Sequence, residues 1–408
     1  MNGFKGKETR SINAQVVRTE LLKVVTRQNT LDVGLDAEGM RSDERNILAR
    51  SKPRQRGARQ EPLFKIGFNR LIRTSRSPQD RTLGLLKRKR VLVTGGAGFV
   101  GSHLVDLLVE CGCSQVIVVD NMFSGNAHNL RRSIGSGKVK LVVGDIRDEA
   151  LMEDLVAGVD TVFHHAAIES AQCVVEPRLA LEVMASATFN LFDRCVRSGV
   201  RKIVMASSAS VYGTPAAFPT PENHDHNSNR TLFGAIKSFG EALLRSFNEM
   251  YGMNYLVLRY FDVYGPRMCF PGSRKDHLVR WIERIDAGLP PIVIGDGSQT
   301  IDLLDVEDAA RANLLAAVSP ASDMALNVGS GEEMSHLSLV RALARIMGRA
   351  GIEPMFWEDR PFNTVSRCCA DTQSARQAIG FEARVPLADG LVRLVDWWRS
   401  EVPARGLH

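Results

Sequence analysis

The chain has 408 residues, 44% of them hydrophobic, and a formal net charge of +6. That length allows two domains or one large one with a sizeable core, and the absence of any run of about eighteen apolar residues argues against a membrane-spanning helix. The seven cysteines are scattered and odd in number, which fits a reducing cytoplasm better than a disulfide framework; neither Cys111–Cys113 nor Cys368–Cys369 is matched by a second pair at zinc spacing, so no metal is expected.

The charge is unevenly spread. Residues 1–90 hold 22 Lys and Arg against 9 Asp and Glu, a net of +13, which leaves a net of −7 for the remainder. The opening "MNGFKGKETRSINAQ" has no apolar signal-peptide core. After one modest helical pattern around "VVRTELLKVV", the chain turns polar and broken, as in "RSDERNILARSKPRQRGARQEP". Residues 1–86 therefore read as a basic, mostly disordered extension. Such a segment is either a solvated leader or a tail that touches nucleic acid or anionic membrane. The acidic remainder gives no reason to expect nucleic-acid binding by the folded body.

At Arg90 the texture changes. "RVLVT" predicts a first strand, and "GGAGFVGSHLVDLLVE" moves from glycines into helical periodicity. "SQVIVVD", "KLVVGDIRD", "DTVFHHAA", "RKIVMASSASVYG" and "MNYLVLRYFDVYG" predict five more strands, with helical stretches such as "ALEVMASATFNLFDRCVRSG" and "KSFGEALLRSFNEMYG" between them. Apolar strands alternating with helices predict an α/β fold with a doubly wound parallel sheet, a Rossmann fold. After Gly265 the alternation loosens and helices such as "LVRWIERIDAG" dominate. The expected division is a Rossmann domain over residues 87–265 and, over 266–400, mainly a substrate-binding lobe with strands returning to the sheet.

In "VLVTGGAGFVGSHL" the glycines Gly95, Gly98 and Gly101 follow a strand, open a helix and are followed by an acid, Asp120, at the end of the next strand. That context is a dinucleotide-binding signature. Gly95 permits the tight turn, Gly98 admits a pyrophosphate at the helix N-terminus, and Gly101 allows close packing of helix on strand. Asp120 is placed to accept hydrogen bonds from the adenosine ribose, and its charge would repel a 2′-phosphate, so the expected cofactor is NAD rather than NADP. Asp145, in "GDIRD", is placed to meet the adenine amino group. Phe99, Val100, Ile146 and Ala166 complete the expected cofactor contacts.

These stretches, with "SSASVYG", "FGAIKSFGE", "LRYFDVYGPRM", "GDGSQTIDLLDVEDAARANLLA", "LNVGSG" and "ADTQSARQAIGFE" in order over roughly residues 88 to 400, resemble the extended short-chain dehydrogenase/reductase family in its NAD-dependent nucleotide-sugar epimerase/dehydratase branch. UDP-galactose 4-epimerases share the pattern. The resemblance implies that Ser208 bonds the reacting sugar oxygen, that Ser210 supplies a nearby hydroxyl, and that Lys237 binds the nicotinamide ribose. It also implies a catalytic tyrosine one helical turn before Lys237, where this chain has Phe233. In the family that tyrosinate takes a sugar hydroxyl proton while NAD takes the hydride. Further implications are a UDP-linked nucleotide-sugar substrate, with Ser208, Ser210, Asp262 and Arg360 as its binding residues, and a homodimer built on the helices containing "LALEVMASATFNLFDRCV" and "GAIKSFGEALLRSFNEMY".

Several positions depart from that pattern. Asp262 stands where an asparagine is common, Ile301 where many relatives have a diphosphate-binding arginine, Met184 where an asparagine is usual, and Asn363 where an aspartate is common, whereas Arg360 matches a second diphosphate-binding arginine. Of the five tyrosines, Tyr212 and Tyr264 match structural positions; His164, His165 and Glu169 follow the fourth strand, near the expected cofactor, either as packing or as a base. Three functions stay open at this stage: an NAD-dependent epimerase or dehydratase, an NAD-binding pseudoenzyme, and a nucleic-acid or membrane partner acting through the extension.

Overall fold

The computed structural model describes residues 84–226, 229–268, 277–358 and 365–401. The disorder expected of the extension falls almost wholly outside these residues, as do Arg360 and Asn363.

Seven strands form one parallel sheet: β1 (Arg90–Thr94), β2 (Gln115–Asp120), β3 (Val139–Val143), β4 (Thr161–His164), β5 (Lys202–Ser208), β6 (Tyr255–Tyr260) and β7 (Met324–Val328), in the order β7-β6-β5-β4-β1-β2-β3. The longer helices are α1 (Phe99–Glu110), α2 (Glu149–Val156), α3 (Ala187–Arg197), α4 (Leu232–Tyr251), α5 (His277–Asp286), α6 (Val306–Val318), α7 (His336–Ile346) and α8 (Leu387–Glu401).

Alternating side chains send the strands' apolar residues to both faces of the sheet. Val91, Val93, Val116, Val118, Leu256 and Leu258 pack with α1 and α6 on one face; Leu92, Ile117, Val119, Ile203, Tyr255 and Val257 pack with α2, α3 and α4 on the other. Burial on both faces explains why the strands read as continuous apolar runs. A third core, with Trp281, Ile282, Leu339, Leu343, Leu394, Trp397 and Trp398, belongs to the lobe formed by α5, α7 and α8.

Two local predictions are redrawn. The run "YLVLRYFDVY" is not one strand: β6 stops at Tyr260, Phe261 is buried with its N–H on the Val328 carbonyl, and Asp262–Tyr264 pairs instead with Leu303–Asp305. The helical stretch before α3 contains a π-helical turn over Glu182–Ser186, which buries Val183 and Met184.

Candidate active site at the carboxyl ends of the strands

Because every strand of the sheet runs the same way, the last residues of β1, β2, β4, β5 and β6 lie on one edge: Thr94, Asp120, His164, Ser208 and Tyr260. Thr94 is paired in register with His164, and Ser208 with Tyr260. Binding crevices of open parallel sheets form outside this edge. Here the crevice encloses about 480 Å³.

Its floor is the glycine turn. Gly95 has φ 67°, and a Cβ there would lie 2.8 Å from the Ala166 backbone nitrogen, so the turn after β1 and the chain after β4 fit together only with glycine at that point. A Cβ on Gly101 would run into the Gly95 carbonyl oxygen. Gly98 caps α1, whose N-terminus opens into the crevice beside Phe99 and Val100. That terminus, with its free backbone N–H groups, suits a phosphate.

Asp120 is buried at the end of β2. One carboxylate oxygen accepts from the Ala97 N–H (2.9 Å) and the other from the Met122 N–H (2.9 Å). Burial raises its pKa, and the backbone donors of Met122, Ala97 and Gly98 oppose that rise. Asp145 is held by the Arg147 side chain through both oxygens (3.0 Å each) and by Asn121 (3.0 Å). Burial works to raise its pKa, but these bonds outweigh it and bring it down to about 2. Ile146 and Ala166 also line the crevice.

At the other end stand Ser208, Phe233 and Lys237. Ser208 Oγ donates to Ser210 Oγ (3.0 Å) and accepts the Ser210 N–H, which turns the chain away after β5; Ser210 itself is not on the crevice wall. Thr231 caps α4, and the helix carries Phe233 and Lys237 on one face. Lys237 Nζ donates to the Ala206 carbonyl (2.8 Å) and lies 5.5 Å from the centre of the Phe233 ring. Burial lowers its pKa to about 8, and nearby Cys173 and Glu241 pull the other way. Asp262 is exposed on the wall.

The histidines divide. His164 is buried with Nδ1 on Thr94 Oγ1 (2.8 Å) and Nε2 on Thr188 Oγ1 (3.0 Å), so it is a packed polar link between β1, β4 and α3. His165 lines the crevice, with Nε2 on Asn313 Oδ1 (3.1 Å) and its ring stacked on Tyr260. Burial and the Lys237 charge lower their pKa values to about 3 and about 4. Glu169 lines the crevice too. Tyr260 accepts the Asn313 amide (2.7 Å), and burial raises its phenol pKa. Tyr212 and Tyr264 are buried away from the crevice, and Ile301 and Met184 are core residues.

Sequence reasoning missed Asn121, Arg147 and Asn313, which hold Asp145, His165 and Tyr260 in place. Arg147 sits two residues beyond Asp145 and was within reach of a turn argument. Asn313, in the middle of α6, gave no signal.

A family profile described as "NAD dependent epimerase/dehydratase family" matches residues 91–329. The UDP-glucose 4-epimerase of Mycolicibacterium smegmatis is 35% identical over 316 residues, spanning 76% of this chain and 99% of that protein. The structure of the Thermotoga maritima UDP-glucose 4-epimerase, solved with UDP-glucose, is 33% identical, with a TM-score of 0.71 over 77% of this chain and 99% of its own. The dTDP-glucose 4,6-dehydratase of Streptomyces venezuelae, solved with NAD bound, is 26% identical, with a TM-score of 0.72 over 77% of this chain and 98% of its own. The glycine turn, the acid ending β2 and the open helix terminus fit the NAD for which the family is named, and the chain belongs to the NAD-dependent epimerase/dehydratase family.

Proposed function

We propose that the protein is an NAD-dependent epimerase or dehydratase of a nucleotide sugar, working by transient oxidation of a sugar hydroxyl. The observation that carries the reading is the meeting of the glycine turn, Asp120, Ser208 and Lys237 in one crevice. Gly95, Gly98 and Gly101 with the N-terminus of α1 would hold the diphosphate of NAD, Asp120 its adenosine ribose, Asp145, Ile146 and Ala166 the adenine side, and Lys237 the nicotinamide ribose. NAD, when bound, supplies the oxidant that takes a hydride from the sugar carbon and returns it. Ser208 would turn its hydroxyl proton from Ser210 Oγ to the reacting sugar oxygen, while the Ser210 N–H goes on holding the Ser208 oxygen from behind. The UDP-glucose named for two of the relatives supports a UDP-linked sugar, which Asp262 would meet from the crevice wall and Arg360, outside the described residues, would bind through its diphosphate.

Phe233 favours a second reading, an NAD-binding pseudoenzyme, because it puts an apolar ring beside Lys237 where a proton carrier would be useful. Native mass spectrometry of the purified chain, followed by incubation with a panel of UDP- and dTDP-sugars, separates the two. Bound NAD with turnover supports the enzyme; bound NAD without turnover in either the wild type or Phe233→Tyr supports the pseudoenzyme.

The same reading includes a homodimer in the cytoplasm. Phe189 on α3 and Phe239, Met250 and Tyr251 on α4 are large apolar side chains left exposed on the helices expected to pair. Six of the seven cysteines are free thiols among the described residues, which suits a reducing compartment.

A further inference from the structure

We propose that Lys237 is the proton carrier of this crevice: its Nζ takes the sugar hydroxyl proton during the oxidation and returns it during the reduction. The inference rests on the functional reading above and assigns to this chain's lysine the task that Phe233 cannot perform.

The geometry leaves few candidates. Phe233 and Lys237 share one face of α4, on the wall that also holds Ser208. The ring offers no donor or acceptor, so the polar atom on that face is Nζ. An ammonium has three N–H donors, and the hydrogen bond it makes among the described residues is the one to the Ala206 carbonyl. His165 is committed through Nε2 to Asn313, and Tyr260 accepts from the same amide. Both side chains are hydrogen-bonded to Asn313 of α6.

The Lys237 charge interacts with a thiol, two histidines and a carboxylate, and Glu169 lines the same crevice. Cys173, from the Ser170–Val175 helix, is a buried thiol pushed up to about 11. His164 and His165, from the end of β4, stay neutral down to about 3 and about 4. Glu241, one turn further along α4, is bonded to Arg259 and Ser207. Burial brings Lys237 itself down to about 8. An amine poised there exchanges protons near neutral pH, where an ordinary lysine would stay an ammonium.

The step balances. In the oxidation the sugar O–H bond breaks, its electron pair forms the carbonyl, and the proton adds to the lone pair of the neutral amine. The carbon's C–H pair goes to the NAD named above. In the reduction the ammonium returns the same proton to the oxygen.

Three measurements test it. The chain has 12 lysines, few enough to follow individually in full-length protein labelled with [13Cε]lysine. The resonance missing from Lys237→Arg should titrate near pH 8 without any substrate. With NAD and UDP-glucose supplied, kcat/KM should rise with pH through the same midpoint. Lys237→Ala at saturating NAD should lose at least about 10²-fold in kcat, and added primary amines should restore it with rates that follow amine basicity while the sugar KM stays put. A lysine that merely positions the cofactor would not show that dependence. A resonance titrating above about pH 10, a flat pH profile, or wild-type turnover without amine rescue of the variant overturns the inference alone. Absence of wild-type turnover across the sugar panel, with NAD bound, overturns the functional reading and this inference with it.

Discussion

Phe233 sets how much chemistry the crevice can do. General acid/base catalysis contributes about 10² to 10⁴ in rate, roughly 3 to 5 kcal/mol of barrier. Phe233→Tyr adds one oxygen where the ring already fits, and turnover of a nucleotide sugar should rise by at least about tenfold in a steady-state assay. His165 gives a second test at this scale. Its folded pKa, about 4, lies below the ordinary 6.5, so only the unfolded chain binds the proton between those values. The stability it contributes is whole above pH 6.5 and is lost as the pH falls toward 4. His165→Gln, which can still reach Asn313, should therefore take up about one proton fewer on unfolding at pH 5, read by calorimetry in buffers of different ionisation enthalpy. The sequence made the glycine turn, Asp120, Ser208, Phe233 and Lys237 legible because their spacing follows strand and helix geometry. It left Asn313 hidden because the bond to His165 joins residues 148 apart.

At the scale of the elements, two junctions hold the crevice. Gly101→Ala would press a methyl against the Gly95 carbonyl and push α1 from β1. It should cost about 1–3 kcal/mol by denaturant melt and weaken NAD binding in titration calorimetry. Behind Ser208, Glu241 of α4 accepts from Arg259 of β6 (2.6 Å) and from Ser207 of β5 (2.5 Å), while Arg259 also donates to Tyr212 (2.8 Å). Glu241→Ala strands the buried guanidinium and should cost about 3–5 kcal/mol in urea unfolding. Strand positions were readable because parallel strands buried on both faces are apolar throughout. The break after β6 was not readable. Phe261 continues the apolar run, and its role is fixed by Val328, far along the chain.

For the whole molecule, the charge asymmetry makes a separate expectation. Residues 1–83 lack a core pattern in the sequence, and removing them should leave the melting temperature within about 2 °C and NAD affinity unchanged. A larger fall in calorimetry would mean that the segment docks on the body. Assembly is tested by Phe239→Glu. Phe239 and Met250 lie eleven residues apart, three helical turns, on one exposed face of α4. The wild type should scatter light as a dimer at micromolar concentration and the variant as a monomer. Neither expectation is legible from one chain's packing, because a partner's surface leaves only an exposed apolar face behind.

The place of β7 in the sheet has a consequence in time. β6 ends at Tyr260, and the strand that seals its outer edge begins at Met324. At about 5–20 residues per second of synthesis, the intervening chain takes on the order of several seconds to appear. Throughout that interval the nascent protein carries an open, apolar strand edge of the kind that recruits foreign strands. The late arrival of β7 makes the growing chain, rather than the finished one, the form most exposed to aggregation and to chaperone capture.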